Sequence, residues 1–215
     1  AISQANGEYF CILNPDTVVK ADTFEVLVNY LANQSDTGVV GCKVLNPDGS
    51  LQLASRRNFP RLSQAIPRML GLQRLFPRSR RFGRYNQTFV DADMIQETDA
   101  VSGSCMMFPR NVYEKTGGFD ERFFLYFEDT DFCCRVKNSG YKVMYLPETQ
   151  IIHYKGESVK QSPNNSVSSF HQSAYLFFQK YRGEFRFWPV FKLILKFGFQ
   201  LRRIAQIISL YRSSL

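Results

Sequence analysis

The sequence predicts an α/β fold ending in a basic amphipathic helical tail. Short apolar runs that stop at turn residues alternate with stretches of helical periodicity. Hydrophobic residues make up 44% of the 215 positions and aromatic residues 15%, enough to fill the core of one domain. The tail announces itself by charge: after Glu184 there is no acidic residue, while Arg186, Lys192, Lys196, Arg202, Arg203 and Arg212 interrupt every apolar run. The expected division is a folded domain over 1–184 and a tail over 185–215.

Tyr9–Leu13 (YFCIL) reads as a buried strand cut by Asn14-Pro15-Asp16-Thr17. Asp22 is placed to cap a helix in which Phe24, Leu27, Tyr30 and Leu31 share a face. Gly38–Val44 is a second strand. Asn46-Pro47-Asp48-Gly49 is a turn, and the alternation of Leu51, Leu53 and Ser55 predicts a hairpin. Residues 56–90 are arginine-rich and broken by proline, which predicts a flexible excursion with at most a short helix near Gln64–Leu75. Asp99–Phe108 reads as a strand bent at Gly103. Pro109 and Gly117-Gly118 bracket a short helix. Glu128–Asn138 is a helix opened by acids and closed by Gly140. Tyr141–Leu146 and Gln150–Tyr154 are strands, 157–169 a loop, and Ser169–Tyr181 and Pro189–Tyr211 helices.

The formal charge of +8 is unevenly placed. Nine arginines and no acid lie between Asp48 and Asp91; with the tail, these segments carry +15. The remaining 12 basic and 19 acidic residues leave −7. An acidic body with two basic segments points to an anionic partner. Nucleic acid is the weakest choice, because the arginine segment lacks regular aromatic interleaving and any known module signature. No run of 18 uncharged apolar residues occurs, and the opening residues have no signal-peptide pattern. The five cysteines form no CxxC pair, which predicts reduced, mostly buried thiols and no zinc site.

Three places carry candidate chemistry. Asp16 lies at the C-terminal end of a buried strand, where ligands bind in open α/β sheets and a carboxylate can hold a divalent cation. The plainer reading of Asn-Pro-Asp-Thr is a turn. The block Gly118–Asp131 holds five carboxylates in the 12 residues from Asp120 to Asp131, set among aromatics. Glu128 and Asp129 suit a helix N-terminus, yet aromatic surroundings also raise a carboxyl toward the range of a general base. Asp131 and Arg135, one turn apart, read as a structural pair. His153 ends a strand before a glycine-containing loop, a place suited to a metal or a diphosphate.

Taken together, NPDT, VSGSCMMFPR, GGFDERFFLYFEDTDFCCR and HYKGES resemble the family 2 glycosyltransferases, in the branch of bacterial rhamnosyltransferase-like enzymes of surface-polysaccharide assembly. Over roughly 5–160 the order and spacing of these motifs are similar to that family's. The resemblance implies a partial GT-A fold, Rossmann-like, with a mixed, mostly parallel sheet flanked by helices. It implies inverting transfer of a sugar, rhamnose being the one suggested, from a nucleotide-diphosphate sugar to a lipid-linked or polysaccharide acceptor. Asp16 stands where the family meets a divalent metal (Mg2+ or Mn2+) and the donor diphosphate, with Asn14 beside it, and His153 completes that metal site. Asp129 stands at the catalytic base, with Glu128 adjacent, and Gly103 and Ser104 border the acceptor pocket and ligand. The opening strand that grips the nucleotide in that family has no counterpart here, so the expectation is a chain lacking the N-terminal nucleotide-binding segment. The alternative is a remnant that acts as a binding module.

The tail's Lys192, Lys196, Gln200, Arg203 and Gln206 form a polar stripe, and Trp188 sits near its start. A helix lying in a membrane interface fits this pattern better than a spanning one. The expected place is the cytoplasmic, inner face of the cell membrane. Packing of this helix on its own domain or on a partner is the competing reading.

Overall fold

The computed structural model describes residues 2–61, 64, 71–154, 163–184 and scattered positions from 189 to 200. Two compact units emerge: residues 1–121 with 128–163, and residues 122–127 with 164–215.

The first unit is built on a six-stranded sheet. Its strands are β1 (Tyr9–Leu13), β2 (Thr17–Val19), β3 (Thr37–Leu45), β5 (Gln96–Thr98), β7 (Cys105–Pro109) and β8 (Lys142–His153). The order is β1-β7-β3-β8-β2, with β5 also pairing β8. Strands β4 (Arg56–Arg57) and β6 (Ala100–Val101) form a separate two-stranded ribbon. The α/β class stands as expected. The parallel share is smaller than the resemblance implied: β3–β8 is the parallel pairing, and the other pairings of this sheet are antiparallel. Parallel neighbours need crossovers of roughly a dozen residues or more. The β3–β8 pair meets that need, since the helices over Arg110–Thr116 and Glu128–Asn138 lie between its strands in the chain.

The helices follow their sequence signals. Helix α1 (Thr23–Asn33) starts after Asp22, although that side chain makes no capping hydrogen bond; Leu27 and Leu31 are buried and Phe24 is exposed. Helix α2 (Arg110–Thr116) begins after Pro109 and ends at Gly117, whose φ of +76° is left-handed. Helix α3 (Glu128–Asn138) has the expected limits, with Gly140 at φ +89° beyond its end. Asp131 Oδ2 accepts from Arg135 Nε at 2.9 Å, and Arg135 Nη1 donates to Thr116 O at 2.7 Å, so this pair also closes α2. One core cluster packs Phe108, Phe132, Val101 and Tyr145 on one face of the sheet; another packs Leu27 and Leu31 against Cys42, Val44 and Leu146.

Several expectations change. The hairpin after Gly49 shrinks to a single bridge, Leu45 to Leu51, because Leu53–Ser55 tightens into a 3-10 turn. Ser55 Oγ then bonds the backbone of Val44 in the core. The two strands expected after Gly140 are one, β8, with Pro147–Thr149 bulged where the β3 register slips from Cys42/Leu146 to Lys43/Gln150. The strand expected over Asp99–Phe108 is two, β6 and β7, parted by a turn at Gly103. The arginine-rich segment is no free excursion where it is described: Arg56 is 2% exposed and donates to the carbonyls of Val90 and Asp91 at 2.7 Å. Leu72–Leu75 is a single helical turn.

In the second unit, α4 (Pro163–Lys180) begins well before Ser169, so the expected loop is partly helical. Phe127 packs on Phe170 and Phe177, and Ser173 Oγ donates to Leu125 O at 2.7 Å. Tyr126 and Phe127 both hold φ +67°, a left-handed conformation that is unusual for aromatic residues. Most of the expected tail helix lies outside the described residues. Among the described residues, no helix is long and apolar enough to cross a membrane.

The ribbon depends on a close approach. A Cβ on Gly41 of β3 would lie 2.5 Å from Val101 Cβ on β6. Gly41→Ala should therefore destabilise the protein by about 1–3 kcal/mol. Adding Val101→Ala should recover part of that loss in denaturant unfolding; strictly additive losses would show that the two positions do not compete for space.

Candidate active site

One half of the site lies where β2 meets the end of β8. Thr17 pairs with His153, and Tyr154 N–H donates to Asp16 O at 2.9 Å. This ladder brings Asp16 Oδ1 to 3.2 Å from His153 Nε2, with Asn14 Nδ2 at 3.3 Å from the same nitrogen. The Asp16–His153 approach expected from the sequence is thus present. Gln52 orients the imidazole. Its amide nitrogen donates to His153 O at 2.7 Å, so its oxygen faces Nδ1 at 3.0 Å and accepts the ring N–H. In the neutral ring Nε2 then carries the lone pair and faces the Asp16 carboxylate. The Asn14 amide is placed to donate to that lone pair, beside the Asp16 carboxylate.

The other half lies at the start of α3. Asp129 is 7% exposed. Its Oδ2 accepts from Arg57 Nη2 at 2.6 Å and from Gly103 N–H at 3.0 Å. Its Oδ1 accepts from Thr130 N–H at 2.6 Å and from Thr130 Oγ1 at 3.1 Å. Arg57 Nη2 also donates to Val101 O at 3.0 Å, so β4 and β6 are both tied to this carboxylate. Gly103 passes close to both acids: a Cβ there would lie 3.3 Å from Asp129 Cβ, a tight contact, and 3.8 Å from Glu128 Oε1. Glu128 Oε2 is buried and accepts no hydrogen bond among the described residues.

The two neighbouring carboxyls are driven apart electrostatically. Burial works against the Asp129 anion, but the Arg57 charge, the Gly103 N–H and the Thr130 hydroxyl together hold its carboxyl below the usual range. Burial works against the Arg57 charge, but the Asp129 charge, the Tyr85 side chain and the hydrogen bond to Asp129 together hold that guanidinium above its ordinary value. Glu128 is pushed up to about 7, chiefly by burial and then by the Asp129 charge. One carboxylate is kept ionised while the other can exchange a proton near neutrality.

A backbone hydrogen bond links the halves. Ser104 O accepts from Asn14 N–H at 3.1 Å, and Ser104 Oγ lies 2.8 Å from Ser102 Oγ. Ser104 is 3% exposed and ties the two loops together. Sequence reasoning missed Arg57 and Gln52. Arg57 was one of nine arginines in a run without acids, and Gln52 one polar residue between leucines; only the fold selects them.

The family model described as "Glycosyltransferase like family 2" matches residues 1–167. Similar curated proteins include the N-acetylglucosaminyl-diphospho-decaprenol L-rhamnosyltransferase of Mycobacterium tuberculosis, 26% identical over 79% of this chain and 54% of its own length. The rhamnosyltransferase WbbL of Escherichia coli is 30% identical over 70% of this chain and 53% of its own. The chain spans about half the length of these relatives. Among solved structures, GalNAc-T7 with UDP, GalNAc and Mn2+ aligns with a TM-score of 0.44 at 13% identity, over 68% of this chain and 27% of that one.

Glu128 carries a stability signature. Burial and the Asp129 charge push its native carboxyl up to about 7, above the ordinary 4.5, so the native state holds the proton more tightly. That contribution is complete below the ordinary value and is lost as pH rises through 7. Glu128→Gln should therefore melt at a higher temperature than the parent at pH 8 and converge with it near pH 4. A gap that does not grow between these pH values would place Glu128 in a solvated setting.

Proposed function

Because the chain belongs to the glycosyltransferase family 2-like proteins, we propose that it serves inverting transfer of a sugar from a nucleotide-diphosphate donor to a lipid-linked or polysaccharide acceptor. The observation carrying this reading is the pairing of two unlike centres through the Asn14–Ser104 hydrogen bond. One centre suits a diphosphate with its cation; the other suits removal of a hydroxyl proton. Inversion by single displacement needs both.

The donor set at the first centre fits a divalent cation. Asp16 supplies a carboxylate and His153 an imidazole nitrogen, and Gln52 fixes the far side of that ring, as outer partners of ligating histidines do. Mg2+ and Mn2+ sites commonly take few protein ligands and complete their shell with substrate phosphates and water. When bound, the cation would neutralise charge on the departing diphosphate. Asn14 adds an amide at the same edge. At the second centre the Glu128–Asp129 pair supplies the base, with Gly103 as the floor that lets substrate approach.

Rhamnose is the favoured sugar, because the relatives named above are rhamnosyltransferases. The M. tuberculosis relative's name gives an N-acetylglucosaminyl-diphospho-lipid, which makes that class the first acceptor to try. The direct experiment mixes the chain with nucleotide-diphosphate L-[14C]rhamnose, N-acetylglucosaminyl-diphospho-polyprenol and Mn2+. Label should enter the lipid phase, fall on chelation and return with Mn2+. Absence of lipid label with this donor and with nucleotide-diphosphate hexoses would refute the reading.

We propose further that the tail holds the protein at the inner membrane face. Val190, Leu193 and Phe197 are exposed by 57%, 69% and 67% and recur at helical spacing. Each basic residue near an anionic surface contributes about 1 kcal/mol. The chain should sediment with anionic liposomes, less so in high salt, and lose that affinity without residues 185–215. Equal sedimentation of both forms would favour a tail packed on protein.

A further inference from the structure

We infer that Phe124 and Leu125 form an apolar tip that enters the headgroup boundary of an anionic membrane, a second lipid contact far from the tail in sequence. This rests on the membrane reading of the tail given above and adds a contact point to it.

Charge selects the partner. The second compact unit, residues 122–127 with 164–215, holds nine basic residues and one acid, Glu184, and therefore +8. The first unit's 18 basic and 18 acidic residues cancel. The whole formal excess of the chain thus belongs to the unit that carries the tip. A unit so charged is drawn to an anionic surface. Arg122, two residues before Phe124, and Arg182 in the same unit are both exposed.

Conformation presents the tip. Phe123 and Phe127 are buried on either side of an exposed pair, Phe124 at 89% and Leu125 at 39%. No other large apolar side chain among the described residues is as exposed as Phe124. Contacts within the unit brace the segment at three places. Lys180 Nζ lies 5.8 Å from the centre of the Phe123 ring. Ser173 Oγ donates to Leu125 O at 2.7 Å. The Phe127 ring centre lies 5.6 Å from that of Phe170 and 5.4 Å from that of Phe177. Tyr126 and Phe127 are successive left-handed residues at φ +67°, and such outliers persist only where the surrounding packing fixes them. A loose segment would fold its aromatic ring back on the protein; these anchors oppose that.

Lipid fits the tip better than a glycan does. A sugar needs hydrogen-bonding groups beside the ring on which it stacks, and the Leu125 carbonyl is already engaged by Ser173. A bilayer interface takes apolar side chains with cations near them. The exposed Val190, Leu193 and Phe197 of the tail belong to the same unit. One weak membrane signal gives marginal, reversible binding, and stable anchoring takes two.

Two measurements on the full chain test this. The first puts an indole at the tip with Phe124→Trp in a Trp188→Phe background, Trp188 being the one natural tryptophan. With phosphatidylglycerol/phosphatidylcholine vesicles, its emission should move to shorter wavelength and be quenched by bromine on the acyl chains. The second compares sedimentation of the parent, Phe124→Ser/Leu125→Ser and Phe124→Met with the same vesicles. The double variant should bind about 10-fold more weakly, and Phe124→Met nearly as well as the parent. Both side chains are exposed, so these variants should keep the parent's circular dichroism. An indole that stays open to iodide while the chain sediments would overturn the inference and leave the tail reading standing. An indole shielded before vesicles are added, or shielded by a soluble oligosaccharide and not by vesicles, would overturn it too. A parent chain that does not sediment with anionic vesicles would refute the membrane reading of the tail, and the tip's role would fall with it.

Discussion

The site depends on one buried ion pair, Arg57 with Asp129. It joins a two-residue strand to the first turn of a helix far along the chain. Neither element would hold its place alone: β4 is too short to be stable by backbone pairing, and the helix start has an anion facing the protein interior. Each supplies what the other lacks. The guanidinium compensates the carboxylate, and the carboxylate fixes the strand. Through Val101 O and Gly103 N–H the same contact also sets β6 and the turn that follows it. A buried pair of this kind is not a strong source of net stability, because desolvation of both charges offsets much of their attraction. Its value lies in geometry, since removing one partner strands the other.

The half around Asp16 and His153 is organised differently. Here the sheet does the positioning. The β2–β8 ladder sets Asp16 beside His153, and the bulge at Pro147–Thr149 shifts the register on which that end of β8 pairs with β3. Gln52 reads both the carbonyl and the ring of His153, so the imidazole is fixed by its neighbour's amide as well as by its own backbone. Ser104 and Asn14 then carry the geometry across to the carboxylate pair. The two centres therefore respond to different perturbations: strand register for one, buried charge for the other.

Much of this was legible in the sequence wherever a local rule decides the outcome. The limits of α3 follow from acids at its start and a glycine past its end, and the same chemistry makes Glu128 and Asp129 visible as candidates. Asp16 and His153 were legible because strand ends are readable from apolar runs. Gly103 was visible as a bend, but its reason, the close passage of Asp129, was not. Arg57 and Gln52 were missed because their roles come from partners 72 and 101 residues away, and no local pattern encodes such a contact. The hairpin after Gly49 failed for a related cause: Ser55 gains a buried bond to Val44 that alternation cannot foresee. The dense aromatic block was read as one setting for the acids. It is shared between units, Phe119 stacking on Phe132 in one and Phe127 packing on Phe170 in the other.

The central claim is that Arg57 and Asp129 behave as a single unit. A double-mutant cycle in denaturant unfolding tests it most directly, using Arg57→Gln, Asp129→Asn and the two combined. Each single change leaves a buried charge without its partner and should cost about 3–5 kcal/mol. The combined change removes both charges, so its cost should fall short of the sum of the singles by about 2–3 kcal/mol. Additive losses would contradict the account, because they would mean that each side chain is held by its own surroundings and not by the other.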